Sequence, residues 1–249
     1  MLRCLIMVVL FALHAVIAVG AELKVGVSAD YPPMAFKQEG RIMGIEADNA
    51  TAVGSLLGLE MTLVDMPFVK LLPALQAGEI DVIMSGFSIT AARKEQVIFT
   101  DSYMDIGQMG IVTTEKVGQF SQPWALQRPG VRIGVEPGTT GADYAKNELK
   151  EGDIKFYADS EAAFAGLRND EIDLYIHDAP TSWRLAATAD NNDLMSLYHS
   201  LTNEELAWAV RKDDERLAEQ LNVALAKLKA NGTLRYILNR WIPVTLDVR

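Results

Sequence analysis

Cysteine is almost absent from this chain, and the position of the single one, Cys4, removes it from consideration. It precedes an apolar N-terminal stretch, so disulfides and thiol chemistry play no part in the body of the protein. Histidine is nearly as scarce, with three residues at 14, 177 and 199 that share no metal-ligand spacing. Gly134, Gly138 and Gly141 do not form the dinucleotide fingerprint, and no Gly-x-Ser-x-Gly marks a nucleophile. Positive charge is also short: 23 basic residues face 33 acidic ones, a net charge of −10 that excludes a nucleic-acid partner. Apart from the N-terminus, no apolar run approaches the roughly 20 residues needed to span a bilayer.

The N-terminus itself reads as a secretory leader. Arg3 gives a positive start, Leu5 to Val19 is nearly all apolar, and Ala18, Val19, Gly20 and Ala21 are the small residues that a signal peptidase requires. Cleavage near residue 21 is expected to deliver residues 22–249 to the periplasm, a length sufficient for two lobes with separate cores. Neither a metal nor a cofactor is expected.

Short apolar or alternating runs recur between helical patterns: Leu23 to Val27, Leu59 to Val64, Ile80 to Met84, Val131 to Val135 and Ile172 to Ile176. Strands alternating with helices predict an α/β fold of mainly parallel sheets flanked by helices. Phe68 to Ala77 is one such helix, with Phe68, Leu71, Leu72 and Leu75 on one face. Leu217, Leu221, Leu225 and Leu228 form a similar core-facing stripe that Gly232 ends, and Pro243 stops the following helix.

The chain also resembles itself. Leu75-Gln-Ala-Gly-Glu-Ile-Asp-Val-Ile-Met84 matches Leu167-Arg-Asn-Asp-Glu-Ile-Asp-Leu-Tyr-Ile176, and Val25-Gly-Val27 matches Ile133-Gly-Val135. A repeated helix, turn and strand predicts two related lobes. The expected division is 22–110 with 207–249 for the first lobe and 111–206 for the second. The chain is expected to cross near Gly107 to Thr114 and again near Leu201 to Val210, making a two-strand hinge.

Ligands of open α/β sheets collect beyond the carboxyl ends of the strands. The segments there are Asp30-Tyr31-Pro32-Pro33, then Ser85-Gly86-Phe87-Ser88 leading to Arg93, Gly138-Thr139-Thr140, and His177-Asp178. Arg93 with donors from Gly86, Ser88 and the helix start at Thr139-Thr140 can hold a carboxylate, and Asp178 can hold an ammonium. Each residue also has a plainer role. Thr139-Thr140 and Asp178 are good helix caps, Arg93 can be a surface arginine, Tyr31 and Phe68 can be packing, and His177 can satisfy a backbone carbonyl.

With those segments in view, the chain from about Leu23 to Ile242 resembles the polar amino-acid class of periplasmic solute-binding proteins, the family 3 extracellular binding proteins. The residues that carry the resemblance are Asp30-Tyr31-Pro-Pro33, Gly44-Ile-Glu-Ala-Asp48, Leu72 to Gly86, Ser88 to Lys94, Phe99 to Tyr103, Gly138-Thr-Thr140, Glu171-Ile-Asp173 with Asp178, and Asn231-Gly-Thr233 before Trp241. It implies the two-lobed type II periplasmic-binding-protein fold. It also implies that Arg93, Gly86, Ser88 and Thr140 hold the ligand carboxylate, Asp178 its ammonium, and Tyr31 and Phe68 its side chain. The implied partners are a small amino acid or related zwitterion and the membrane permease of an ABC importer; separately from the resemblance, a monomer is the default expectation. Ser28 departs from the acidic residue often present in members that prefer cationic amino acids, which argues against such ligands. The segment around Gln119 to Arg128 also departs from the family wording. Two further activities share the fold: a cyclohexadienyl dehydratase-like lyase and a sensory binding protein serving a signalling partner.

Overall fold

The computed structural model describes residues 22–187 and 189–242, so the leader and Pro243 lie outside the described residues. In chain order the elements are β1 (Glu22–Val27), β2 (Asp30–Tyr31), β3 (Ala35–Gln38), β4 (Arg41–Met43), α1 (Ile45–Leu57), β5 (Glu60–Asp65), α2 (Phe68–Ala77), β6 (Val82–Ile83), α3 (Ala91–Lys94), β7 (Val97–Phe99) and β8 (Met104–Ile106). The chain continues through β9 (Gln108–Thr113), α4 (Val117–Phe120), β10 (Arg132–Val135), α5 (Thr140–Glu148), β11 (Asp153–Phe156), α6 (Ser160–Arg168), β12 (Leu174–Asp178), α7 (Ala179–Ala187) and β13 (Leu194–Ser196). It ends with β14 (Glu204–Leu206), β15 (Ala209–Arg211), α8 (Glu215–Ala230) and α9 (Thr233–Trp241).

Two five-stranded sheets carry the architecture, in the orders β5-β1-β6-β15-β7 and β11-β10-β12-β9-β13. In each, the first three strands are parallel and the fourth runs antiparallel to them. The crossing segments occupy matching places. Outgoing β9 lies on β12, returning β15 lies on β6, and β8 pairs with β14 between the sheets. Gln108, Met109 and Gly110 already pair with the second sheet, so the division expected after residue 110 falls inside β9 and the crossing lies at Gly107.

The internal repeat now has a physical cause. Helices α2 and α6 each end in a left-handed turn, at Gly78 (φ 73°) and at Asp170 (φ 54°). The aspartate three residues later reaches the neighbouring parallel strand: Asp81 accepts from the Lys24 N–H at 2.9 Å and Asp173 from the Arg132 N–H at 3.1 Å. The isoleucine between them explains the repeated glycine. A Cβ at Gly26 would lie 2.3 Å from Ile80 Cδ1, and one at Gly134 would lie 2.4 Å from Ile172 Cδ1. Each strand opens a gap for its isoleucine, and a Cβ at either glycine would displace that side chain from the gap.

The first sheet is covered by α1, α8 and α9 on one side, where Ile45, Val53, Leu217, Leu221, Leu225 and Leu228 are buried together, and by α2 on the other. The second sheet lies between the segment Phe120 to Leu126 with α5, and α6. Asp214, Asp159 and Thr139 cap α8, α6 and α5 through their side-chain oxygens, which satisfies N–H groups that a helix start leaves free. Among the described residues, no helix is long and apolar enough to cross a membrane.

Candidate functional site

The carboxyl ends of β1, β6, β10 and β12 converge on a cavity between the two sheets. All eight residues singled out from the sequence line it: Tyr31, Phe68, Gly86, Ser88, Arg93, Thr139, Thr140 and Asp178. Ser28, Asp30, Glu136, Ile176 and His177 complete the wall.

Arg93 is buried, not a surface arginine, with 8% of its area exposed. Thr90 caps the short helix that carries it, accepting from the Arg93 N–H at 3.1 Å. The guanidinium sits 4.1 Å from the Phe87 ring centre and 5.6 Å from that of Phe68. Its Nη1 donates to the Ser88 carbonyl at 2.8 Å and its Nη2 to the Gly138 carbonyl, across the cleft, at 3.0 Å. Two aromatic faces and two carbonyls fix the fork, and further N–H donors of the guanidinium remain to meet a carboxylate. Burial lowers its pKa, while Asp178, Glu204 and Asp143 act in the opposite sense.

Gly86 occupies a left-handed conformation (φ 58°), and a Cβ there would lie 2.6 Å from the Tyr31 ring, so only glycine fits. Its N–H is not aimed at the cavity. It donates to the Glu46 carboxylate at 2.9 Å, which corrects the expectation of a donor at this position. Glu46, fully buried, also accepts from Tyr103 Oη at 2.6 Å and from Trp208 Nε1 and Asn49 Nδ2 at 3.3 Å each. Burial raises the pKa of Glu46, and these four hydrogen bonds oppose the rise.

From the second sheet, Asp178 ends β12 and accepts hydrogen bonds from the Tyr31 hydroxyl, across the cleft, and from Gln108 Nε2. Desolvation raises its pKa; His177 and the two donors oppose this, and Glu204 adds to it. Gln108 Nε2 also donates to Thr140 Oγ1 at 3.0 Å, and Thr140 donates to Glu204 at 2.8 Å. Thr202 Oγ1 binds both the Gln108 N–H at 2.9 Å and Glu204 at 2.6 Å. The Asp178 carboxylate is thus braced by the crossing strands themselves. The Thr139 hydroxyl is spent on its helix cap, accepting from Ala142 N–H at 3.1 Å and donating to the Glu136 carbonyl at 2.8 Å. What Thr139-Thr140 offers a ligand is therefore the positive end of α5.

The remaining wall is acidic. Glu136 follows β10 directly, accepts from Tyr175 Oη and from Ser160 Oγ at 3.2 Å, and lies 3.6 Å from His177 Nε2. Burial raises its pKa, His177 and Tyr175 oppose this, and the Asp30 charge adds to it. Among the described residues, the His177 side chain makes no hydrogen bond to a backbone carbonyl. Its Nδ1 is buried without a partner, and its ring sits 4.8 Å from Tyr31 and 5.5 Å from Tyr175.

Asp30 and Glu136 were legible by the same strand-end rule that found the others. Phe87 lies inside the Gly86–Ser88 segment, but nothing in the sequence distinguishes it from an ordinary core residue. Gln108 had no signal of its own. Glu46 sits at the core-facing spacing of Asn49, Ala50 and Val53, which was the available clue.

A family model described as bacterial extracellular solute-binding proteins, family 3, matches residues 23–244. The chain belongs to that family. The ABC transporter arginine-binding protein 1 of Escherichia coli K12 is 32% identical over 94% of this chain and 98% of its own length. Among solved structures, an ancestral amino acid-binding protein described as a precursor of cyclohexadienyl dehydratase superposes with a TM-score of 0.83 at 31% identity, covering 89% of this chain and 96% of its own. A mutant of ArgBP from T. maritima gives a TM-score of 0.82 at 34% identity, covering 89% and 95%. This family 3 member has the type II periplasmic-binding-protein fold.

Proposed function

We propose that this family 3 protein is the amino-acid-binding component of an ABC importer and closes around its ligand in the cavity between the sheets. The observation that carries the reading is the presence of Arg93 and Asp178 in one cavity, each supplied by a different half of the fold. Arg93 with Ser88 and the start of α5 meets the α-carboxylate. Asp178 meets the α-ammonium, and the Gly86 carbonyl, whose own N–H is held by Glu46, adds an acceptor for it. Tyr31 and Phe68 cover the ligand. Residues 22–107 with 207–249 then move as one lobe against 108–206, and a ligand touching both favours the closed arrangement by its differential affinity. The leader takes the chain to the periplasm, where it serves as a monomer and passes its ligand to a membrane permease. The names of its relatives support an amino acid as the ligand.

Titration calorimetry of residues 22–249 against the common amino acids tests this. Arg93→Ala or Asp178→Ala, still folded by circular dichroism, is expected to weaken binding by tens to thousands-fold, since breaking a buried charged contact typically costs about 2 to 5 kcal/mol. Unchanged affinity in either variant ends the assignment. A lyase of the cyclohexadienyl dehydratase kind is the second reading. It is favoured by one feature, a mostly buried Glu136 carboxyl with raised pKa in the cavity, the property of a general acid. Phenylpyruvate formed from prephenate by the mature chain would decide for it.

A further inference from the structure

Two bonds across the cleft, Tyr31 to Asp178 and Arg93 to the Gly138 carbonyl, start from residues of the cavity wall. A further set of crossing contacts does not. Helix α7 belongs to the second half, yet its side chains reach the β2–β3 hairpin of the first. Thr181, 3% exposed, donates to the Pro32 carbonyl at 3.1 Å. One turn on, the Arg184 guanidinium lies 4.8 Å from the Phe36 ring centre. Trp183 packs against the core of the first half, to which Tyr31, Met34 and Ala35 belong. Thr181, Trp183, Arg184 and Phe36 line no part of the ligand cavity.

Both sides of this contact are anchored. The hairpin sits on the start of α1, where the Pro33 and Met34 carbonyls accept from the Ile45 and Glu46 N–H groups at 3.0 and 2.9 Å. Phe36 meets Trp241 edge-on at 5.6 Å, and Trp241 Nε1 donates to Asp48 of α1 at 2.8 Å. On the other side, α7 starts immediately after Asp178, and the Ala179 N–H donates to the Gly107 carbonyl at the crossing, at 2.9 Å. Burial lowers the pKa of Arg184, and the face of Phe36 is what its guanidinium meets across the cleft. Two rigid bodies that touch in this way lose the contact when they part, whichever molecule lies between them.

We propose that α7 is a latch onto the first half, and that Thr181, Trp183 and Arg184 set the affinity of the amino-acid site without touching its ligand. The proposal rests on the two closing lobes of the amino-acid reading and adds what holds them shut. Where the open form predominates before binding, apparent affinity scales with the population of the closed one. Loosening the latch therefore weakens every ligand by one factor. A residue of the cavity wall acts otherwise, because each ligand meets it differently.

Arg184→Met keeps the stem and removes the charge, and Thr181→Val keeps the shape and removes the donor. In titration calorimetry of residues 22–249, each is expected to weaken every amino acid that the parent binds by one common factor, about three- to tenfold. The order of preference among ligands is expected to stay as it was. The one cysteine lies in the leader, so paired spin labels can be placed at Ser55→Cys in α1 and Asn147→Cys in α5, both exposed. With no ligand added, the distance between the labels is expected to shift to longer values when Arg184→Met or Thr181→Val is introduced. Distances unchanged by both substitutions overturn the latch. A loss of affinity that differs by more than about threefold between ligands overturns it as well, as does unchanged affinity for all of them. Failure of every amino acid to bind overturns the amino-acid reading, and the distance measurement still decides for or against the latch.

Discussion

Two glutamates, Glu46 buried in the first half of the molecule and Glu136 mostly buried in the second, face opposite tasks. Glu46 accepts four hydrogen bonds, from Gly86, Tyr103, Trp208 and Asn49, all supplied by the first half of the fold and its returning strand. Glu136 accepts two, from Tyr175 and Ser160, and otherwise faces a histidine, a second carboxylate and the cavity. Burial raises the pKa of both. The difference is how much of the cost of burying the group the protein itself offsets. A carboxylate fully met by its own chain holds a loop in shape, and one only partly met is left to be satisfied by something else.

Substitutions can break this contrast. The largest effect is expected for Glu46→Ala, which leaves four buried donors without an acceptor and frees the Gly86 turn. Chemical denaturation is expected to show a loss of about 3 to 5 kcal/mol. Tyr103→Phe removes only one donor to the same carboxylate and is expected to cost about 1.5 to 3 kcal/mol. Stability unchanged in either variant would remove the scaffold role of Glu46. Glu136→Gln is expected to have the smallest effect and the opposite sign, raising the melting temperature at neutral pH. A carboxyl whose folded-state pKa is raised contributes stability below its unfolded value, near 4.3, and loses that contribution as pH rises through the folded value. The uncharged amide of the variant does not titrate and loses nothing over that window. Scanning calorimetry should therefore find variant and parent closer at pH 4 than at pH 7, and a parent that is more stable at pH 7 contradicts the idea.

Much of this was open to reading in the chain. The alternation of apolar runs with helical stripes carried the sheets, and the matched Glu-Ile-Asp segments carried the symmetry, because the isoleucine and the aspartate of each have the same task in both halves. Arg93 and Asp178 were visible because strand ends are few and polar residues there stand out. The supporting residues were harder to see. Glu46 resembles any acidic residue in the first turn of a helix, where the dipole favours it, and only its alignment with Asn49 and Val53 indicates burial. Phe87 looks like core and serves as the platform for a guanidinium. Gln108 gives no hint of its task, since its partners lie 32 and 70 residues away in the chain. The Gly86 donor was misjudged because sequence shows which backbone groups a loop contains, not where they aim.

The bracing of Asp178 by Gln108, Thr140, Glu204 and Thr202 has a consequence for how such a receptor can evolve. Grip and motion draw on one set of bonds, so they cannot be tuned separately. On the proposed roles of Asp178 and the two lobes, a change at Thr202, which lines no part of the cavity, would alter how firmly the ammonium is held as well as how readily the halves swing apart, and so how long a captured molecule stays.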